Sequence, residues 1–439
     1  MDDPSPHSGV KISMYEKESI SMIAKWSIEA NSSAERDYDD PFYICDLGDV
    51  IAKDRKWQEL LPTVETFYAV KCNPDLAILR LLVGLGRGFD CSSKREIQMV
   101  LDAGASPDRI IYANTCKQES HLRYAKEKGV SLMTFDSADE LQKIDRVYPE
   151  ATLVLRMRYD DPNAVYKLGS KFGCSQDSIP RLMELAKTLG LNVVGISFHI
   201  GAGARDPNMF AGAISCAKTL FGVGKAVGYD MTLLDIGGGF PGKTSFRIGF
   251  QQFAEAISES LEEHFPADCG VRVIAEPGTF YVQSAVHLVA NVIATRKVGA
   301  SSDILQENSK LKKHYFVNTG LYNSFNALYT VPDYFAPPCP LRELEEDEPF
   351  YPSCIWGPTC DATDCIFPDC RLPELRAGDF VIFRDMGAYA SSASCDFNGF
   401  GTPTSRYTAT RKYLPLLREV FQGCATENVD IDPQTKTSE

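Results

Sequence analysis

Four strand ends carry side chains able to do chemistry. Lys71 closes the run Thr66-Phe-Tyr-Ala-Val-Lys71, and Asn73-Pro74 turns the chain directly after it. Burial at a strand end disfavours the ammonium form. A neutral lysine is a nucleophile that can form a Schiff base with an aldehyde. The bland alternative is a lysine that marks the strand end and snorkels to water. Leu234-Asp-Ile-Gly237-Gly238-Gly239-Phe240 sets three glycines after a second strand. Such backbone can close N–H groups around an anion; the alternative is a tight turn, but turns seldom need three consecutive glycines. Ala275-Glu276-Pro-Gly278 ends a third strand with a carboxylate and a glycine, and Ser197-Phe-His199-Ile-Gly201 ends a fourth with an imidazole. A lone histidine is more often a satisfied core residue, and only its strand-end position raises it above that.

The elements that must position these groups are legible in the pattern. Candidate strands are Thr66–Lys71, Gly88–Ser92, Arg109–Ala113, Ser131–Phe135, Thr152–Arg158, Asn192–His199, Thr232–Ile236 and Arg272–Glu276. Helical stripes lie between them, such as Leu141, Ile144 and Val147, or Phe250, Phe253, Ile257, Leu261 and Phe265. Eight strand–helix units fit a TIM barrel, with a doubly wound sheet as the alternative. Lys71, Asp90, Asn114, Asp136, Arg156, His199, Gly237 and Glu276 all fall at C-terminal strand ends, where barrel enzymes build active sites. After Val298 the texture changes to a polar linker (Ser301–Lys313), a Pro- and Glu-rich loop (Pro332–Pro352) and short strand-like runs. That pattern predicts a β domain, with one helical stretch at Tyr413–Phe421. Residues 1–41 are polar, and Pro41–Cys45 reads as a short strand. Ala425–Glu439 reads as a disordered tail.

The chain has 439 residues, 44% hydrophobic and 24% charged, a soluble composition long enough for two domains. A net charge of -14 argues against nucleic acid or an anionic membrane as partner. Met1-Asp-Asp-Pro-Ser-Pro lacks the features of a signal peptide, and no run is apolar enough to span a bilayer. A cytoplasmic protein with reduced thiols is expected. Cys354, Cys360, Cys365 and Cys370 are crowded, but they lack a C-x-x-C pair and a nearby histidine, so no metal is expected.

An amine for a Schiff base, an anion cradle and a carboxylate on one barrel face are the requirements of pyridoxal 5'-phosphate (PLP). Glu276 would keep the pyridine nitrogen protonated, and His199 would lie against the ring. Phe67-Tyr-Ala-Val-Lys-Cys-Asn73, Gly88-Phe-Asp-Cys-Ser-Ser93, Ser197-Phe-His199, Asp235–Pro241, Ala275–Gly278, Trp356-Gly-Pro-Thr-Cys-Asp361 and Met386-Gly-Ala-Tyr389 together resemble eukaryotic ornithine decarboxylases, from about residue 40 to 422. The resemblance implies an α/β plus β fold: a PLP-binding TIM (β/α)8 barrel of the alanine racemase-like type over 45–282, and a C-terminal β-sandwich or barrel domain over 283–424. The segment 1–44 would join the β domain, and the tail would be 425–439.

It also implies roles. Lys71 would carry the cofactor. Glu276 would pair with the ring nitrogen, and His199 would stack on the ring. Asp90, Glu96 and Arg156 would form the polar network around them. Gly237, Gly238, Gly239, Gly278 and Tyr389 would serve the cofactor and its phosphate. Homodimers with shared active sites are implied, with Lys171 crossing the interface and Gly387 providing a small residue there. Cys360 would protonate the α-carbon after loss of carbon dioxide, and Asp361 would bind substrate.

Three departures from that pattern matter. Thr319 stands where the family has an aspartate taken to bind the distal ammonium of ornithine. Loss of a charge-assisted hydrogen bond there removes about 1.5–3 kcal/mol. On that basis the expected substrate is a neutral aliphatic amino acid, leucine first, with ornithine as the alternative. Thr279 replaces a phosphate-binding arginine, and Ala202 a phosphate-binding serine, so weaker cofactor retention is expected. A third reading is an inactive antizyme inhibitor, since Asn114–Leu141 resembles the antizyme-binding region.

Overall fold

The computed structural model describes residues 10–32, 39–160, 168–201, 203, 206–243, 248–298, 312–331, 334–422 and 430–432. Strands β1 (Lys11–Tyr15) and β2 (Phe42–Asp46) come first. Eight short strands follow: β3 (Val64–Ala69), β4 (Gly88–Cys91), β5 (Ile110–Tyr112), β6 (Leu132–Phe135), β7 (Thr152–Arg156), β8 (Asn192–Ser197), β9 (Leu233–Asp235) and β10 (Arg272–Ala275). These are the eight read from the sequence, with small shifts at their ends. They close into a barrel in the order β10-β3-β4-β5-β6-β7-β8-β9. The doubly wound alternative fails because the last strand pairs in parallel with the first, Val273 with Val64 and Ala275 with Thr66.

Phe67, Ile111, Val154 and Leu233 come from alternate strands and pack together with Ile274. A layer drawn from alternate strands is how barrel interiors fill. Gly88 makes room for it: a Cβ there would lie 2.7 Å from the Phe67 ring. Side chains repeat every two residues along a strand. The position two residues past each interior residue therefore faces the same lumen. That places Ala69, Ala113, Arg156, Asp235 and Glu276 at the C-terminal mouth, and Asp90, two residues past Gly88, ends its own strand there. At the opposite end Glu65 accepts from Arg109 Nη1 at 2.8 Å and from Arg272 Nε at 2.6 Å.

The outer helices begin on side-chain caps. Asp75 accepts from Ala77 N and Ile78 N, Ser93 from Glu96 N, and Ser137 from Glu140 N. The expected helices appear as Ala138–Val147 and Phe250–His264.

The remaining strands are β11 (Val286–Val298), β12 (Lys312–Val317), β13 (Cys339–Pro340), β14 (Tyr351–Trp356), β15 (Cys365–Leu372), β16 (Phe380–Phe383), β17 (Thr404–Thr410) and β18 (Asp430–Asp432). With β1 and β2 they form a ten-stranded mixed sheet along the path β15-β14-β12-β11-β2-β17-β1-β18, with β16 and β13 off that path. Two units result: residues 50–281 with 419–425, and residues 1–49, 282–418 and 426–439.

Several elements escaped the sequence reading. The N-terminal stretch, read from its sequence only as polar, holds β1 and the helix Ile20–Ser32. β1 is short, and its neighbours β17 and β18 lie far along the chain. The long strand β11 was not expected at all. Asp430–Asp432, inside the stretch read as a disordered tail, pairs with β1. The rest of that tail, most of the Ser301–Lys313 linker and Ala202 lie outside the described residues. Among the described residues, no helix is long and apolar enough to cross a membrane.

Candidate active site

The barrel mouth is built from the polar residues just described. Strand β3 stops at Ala69, and Val70–Cys72 form a 3-10 turn. Lys71 sits on that turn, not inside the strand, and its side chain is 40% exposed. The expectation of a buried, desolvated amine is therefore corrected. The amine is held by a carboxylate, the fully buried Asp90 at the end of β4. The second oxygen of Asp90 has no hydrogen-bond partner among the described residues.

Glu96 folds back from its helix to accept from Ser92 N at 2.5 Å. Burial, with Asp90 nearby, pushes its carboxyl up. Glu276 is 9% exposed. Burial first, then the charges of Asp235 and Asp90, hold it well above the ordinary carboxylate range. Burial also pushes Asp235 up to about 6. Two adjacent buried acids with raised affinities keep a proton in the mouth at neutral pH.

His199 is neutral: burial and the charges of Arg156 and Lys71 hold it well below the usual histidine range. Its Nδ1 accepts from Gly201 N at 3.1 Å, which leaves the ring proton on Nε2. Arg156 lies 5.0 Å over the Phe172 ring.

The glycine turn is only partly an anion cradle. The Gly237 N–H is taken by Asp235 Oδ1 at 2.9 Å, and its carbonyl accepts from Glu276 N at 2.7 Å. The N–H groups of Gly238 and Gly239 have no partner among the described residues. Gly237 and Gly239 have φ of +64 and +105, and side chains at all three positions would strike backbone oxygens. Gly278 is equally confined, since a Cβ would lie 2.8 Å from Cys72 Cβ. Thr279 Oγ1 lies 4.0 Å from Cys72 Sγ.

The residues present fit PLP. There is an accessible amine on a carboxylate, two open N–H groups on a left-handed turn, and a buried acid holding a proton. The buried Ser197 Oγ also has no partner among the described residues.

Other expected site residues fall in the β unit. Cys360 is exposed, and its N–H donates to Asn398 Oδ1 at 2.9 Å. Asp361 accepts from Tyr322 OH and from Thr363 N and Oγ1, which hold its carboxyl below the usual range. Tyr389 is half-buried with φ of +56. Gly387 is required by its own chain: a Cβ there would lie 1.6 Å from Val282 O. Lys171 is exposed, 5.0 Å over the Phe172 ring. Thr319 is 1% exposed, and its hydroxyl lies 3.0 Å from Ser324 Oγ, itself bonded to Tyr43 OH.

Asp235 and Asp364 were missed as individual residues. Period-two counting from Leu233 would have found Asp235. Asp364 clasps its loop by accepting from Leu321 N at 2.8 Å and Thr359 Oγ1 at 2.7 Å, which no local pattern reveals.

Residues 47–283 match the pyridoxal-binding domain of pyridoxal-dependent decarboxylases. The chain belongs to that family. Rat ornithine decarboxylase is 45% identical over 394 residues, covering 89% of this chain and 85% of its own. Antizyme inhibitor 2 of Xenopus laevis is likewise 45% identical, covering 89% and 87%. The arginine decarboxylase of Paramecium bursaria Chlorella virus superposes with a TM-score of 0.82 at 35% identity, covering 88% of this chain and all of that one. Lysine/ornithine decarboxylase of Vibrio vulnificus, solved with putrescine, has a TM-score of 0.77 at 28% identity, covering 91% and 100%. As a member of this family the chain is a lyase that acts on an amino acid with PLP as cofactor.

Proposed function

We propose that the chain decarboxylates a basic L-amino acid, ornithine first, to a primary amine and carbon dioxide. The observation that carries this is the Lys71–Asp90 pair beside the buried Glu276 at the barrel mouth. Bound PLP supplies an electron sink for the electrons left on the α-carbon when carbon dioxide departs.

The chain's own residues do the rest. Lys71 Nζ is the covalent attachment point, and Asp90 orients it. Glu276 holds the proton that faces the ring nitrogen. Neutral His199 presents a flat, uncharged face, and Arg156 balances the acids. Gly238 and Gly239 N–H groups serve the phosphate. With Thr279 and Ala202 in place of an arginine and a serine, retention of the cofactor is weaker than in ornithine decarboxylases. Cys360 returns a proton to the α-carbon, and Asp361 receives a distal cation, in a site shared between two copies of the chain.

The case for leucine rested on Thr319 facing the substrate. Thr319 is buried, and the relatives are named for ornithine, lysine and arginine. A panel of ornithine, lysine, arginine and leucine, followed by carbon dioxide release with added PLP, tests the reading. Ornithine or another basic substrate is expected to lead. A clear lead for leucine rejects it.

A second reading is a catalytically silent antizyme-binding regulator, favoured by the antizyme inhibitor relative. It predicts co-elution with antizyme, and no carbon dioxide from any amino acid even when PLP is saturating.

A further inference from the structure

The hairpin that joins β14 to β15 carries Cys360 and Asp361 on its loop and a cysteine on each of its flanks. Cys354 lies in β14, and Cys365 is the first residue of β15. Their sulfurs are 3.6 Å apart and both are free thiols. The β14–β15 register shifts on both sides of Ile355, the irregularity that lets these two side chains meet. We propose that Cys354 and Cys365 are a dithiol which a hydroperoxide oxidises to an intrachain disulfide, stapling the base of the loop 357–364.

The alternative is an inert pair of core thiols, the usual state of buried cysteine. Three observations oppose it. The sulfurs touch, and need to approach by only about 1.5 Å to reach bonding distance. Cys365 is half-buried while Cys354 is 3% exposed, so Cys365 is the residue of the pair more open to a reagent. The Cys354 thiol and the nearby Lys312 ammonium lower the Cys365 pKa, which favours its thiolate.

The chemistry balances. Cys365 thiolate attacks the terminal peroxide oxygen, the O–O bond breaks, and the departing oxygen takes a proton and leaves as an alcohol, or as water when the oxidant is hydrogen peroxide. Cys354 sulfur then attacks Cys365 sulfur, the S–O bond breaks, and the hydroxide takes the Cys354 proton to leave as water. The two thiols are oxidised by two electrons, and the peroxide is reduced by two. A third thiol, Cys370, points its Sγ at Ser353 O at 3.6 Å and competes only if the strand pair slips.

The link does not depend on the proposed function. Its consequence does: a stapled loop would fix Cys360 and Asp361 in place. The full chain is treated with hydrogen peroxide, alkylated, and mapped by mass spectrometry without reduction. A peptide pair joined through Cys354 and Cys365 is expected. It should be reversed by dithiothreitol, absent in Cys354→Ser and Cys365→Ser, and retained in Cys370→Ser. Hydrogen exchange over 357–364 should slow on oxidation of the parent and stay unchanged in Cys365→Ser. The proposal is overturned if both cysteines remain alkylatable when the exposed Cys360 is already oxidised, or if the link runs to Cys370. No carbon dioxide release from the untreated, PLP-loaded chain, with the linked peptide still formed on oxidation, would count against the functional reading alone.

Discussion

Asp235→Asn separates the stability of the barrel from its chemistry. Asp235 is 1% exposed, and burial raises its carboxyl from 3.8 to about 6. The folded state therefore keeps a proton that the unfolded chain has already released. Stability falls as pH rises from about 4 to about 6 and stays low above that. A shift of about two units corresponds to about 3 kcal/mol across the window. Asparagine keeps an oxygen for Gly237 N but carries no titrating proton. Urea unfolding of the cofactor-stripped chain at pH 4, 5, 6 and 8, parent against variant, reads the difference directly. Other shifted groups cancel in it, such as Asp46, raised to about 6, and Glu65, lowered to about 2. The variant should gain on the parent as pH rises, by up to about 3 kcal/mol at pH 8. Its Glu276 also loses a like-charged neighbour and ionises more easily. Parallel pH profiles, or a variant less stable than the parent at pH 8, would refute the idea that these acids are held against their charge.

Two further outcomes rest on backbone and burial. Gly237→Ala forces a left-handed φ of +64 on a residue whose Cβ would lie 2.1 Å from Phe198 O. Strain and overpacking together cost about 2–5 kcal/mol. A thermal midpoint equal to the parent's would contradict this. Lys117 is fully buried and bonds Thr134 O at 2.6 Å and Glu140 Oε1 at 2.9 Å. Lys117→Met strands Glu140 with Lys143 as its remaining cation. A loss of about 3–5 kcal/mol is expected, largely restored by adding Glu140→Gln. Denaturant midpoints of the single and double variants check it, and a single variant within about 1 kcal/mol of the parent removes the argument.

The barrel was legible because its information is local. Short β-branched strands, helical stripes and chemistry at strand ends each occupy a few adjacent residues, and all eight strands could be read that way. The placement of Lys71, Asp90, His199 and Glu276 at strand ends was legible for the same reason. Burial and charge state were not legible, because they depend on residues far apart in the chain. Lys71 looked desolvated by its own strand, yet a 3-10 turn carries it out to a carboxylate on the next strand. Nor could local pattern show that the Thr319 hydroxyl lies beside Ser324. β1 and β18 drew no notice because each is completed only by partners from the other end of the chain. Residue types alone established an amine, a carboxylate and a glycine turn at strand ends. Only the folded barrel, which buries the ends of the paired strands β9 and β10 together, decided that Asp235 and Glu276 would have to share the space of one charge.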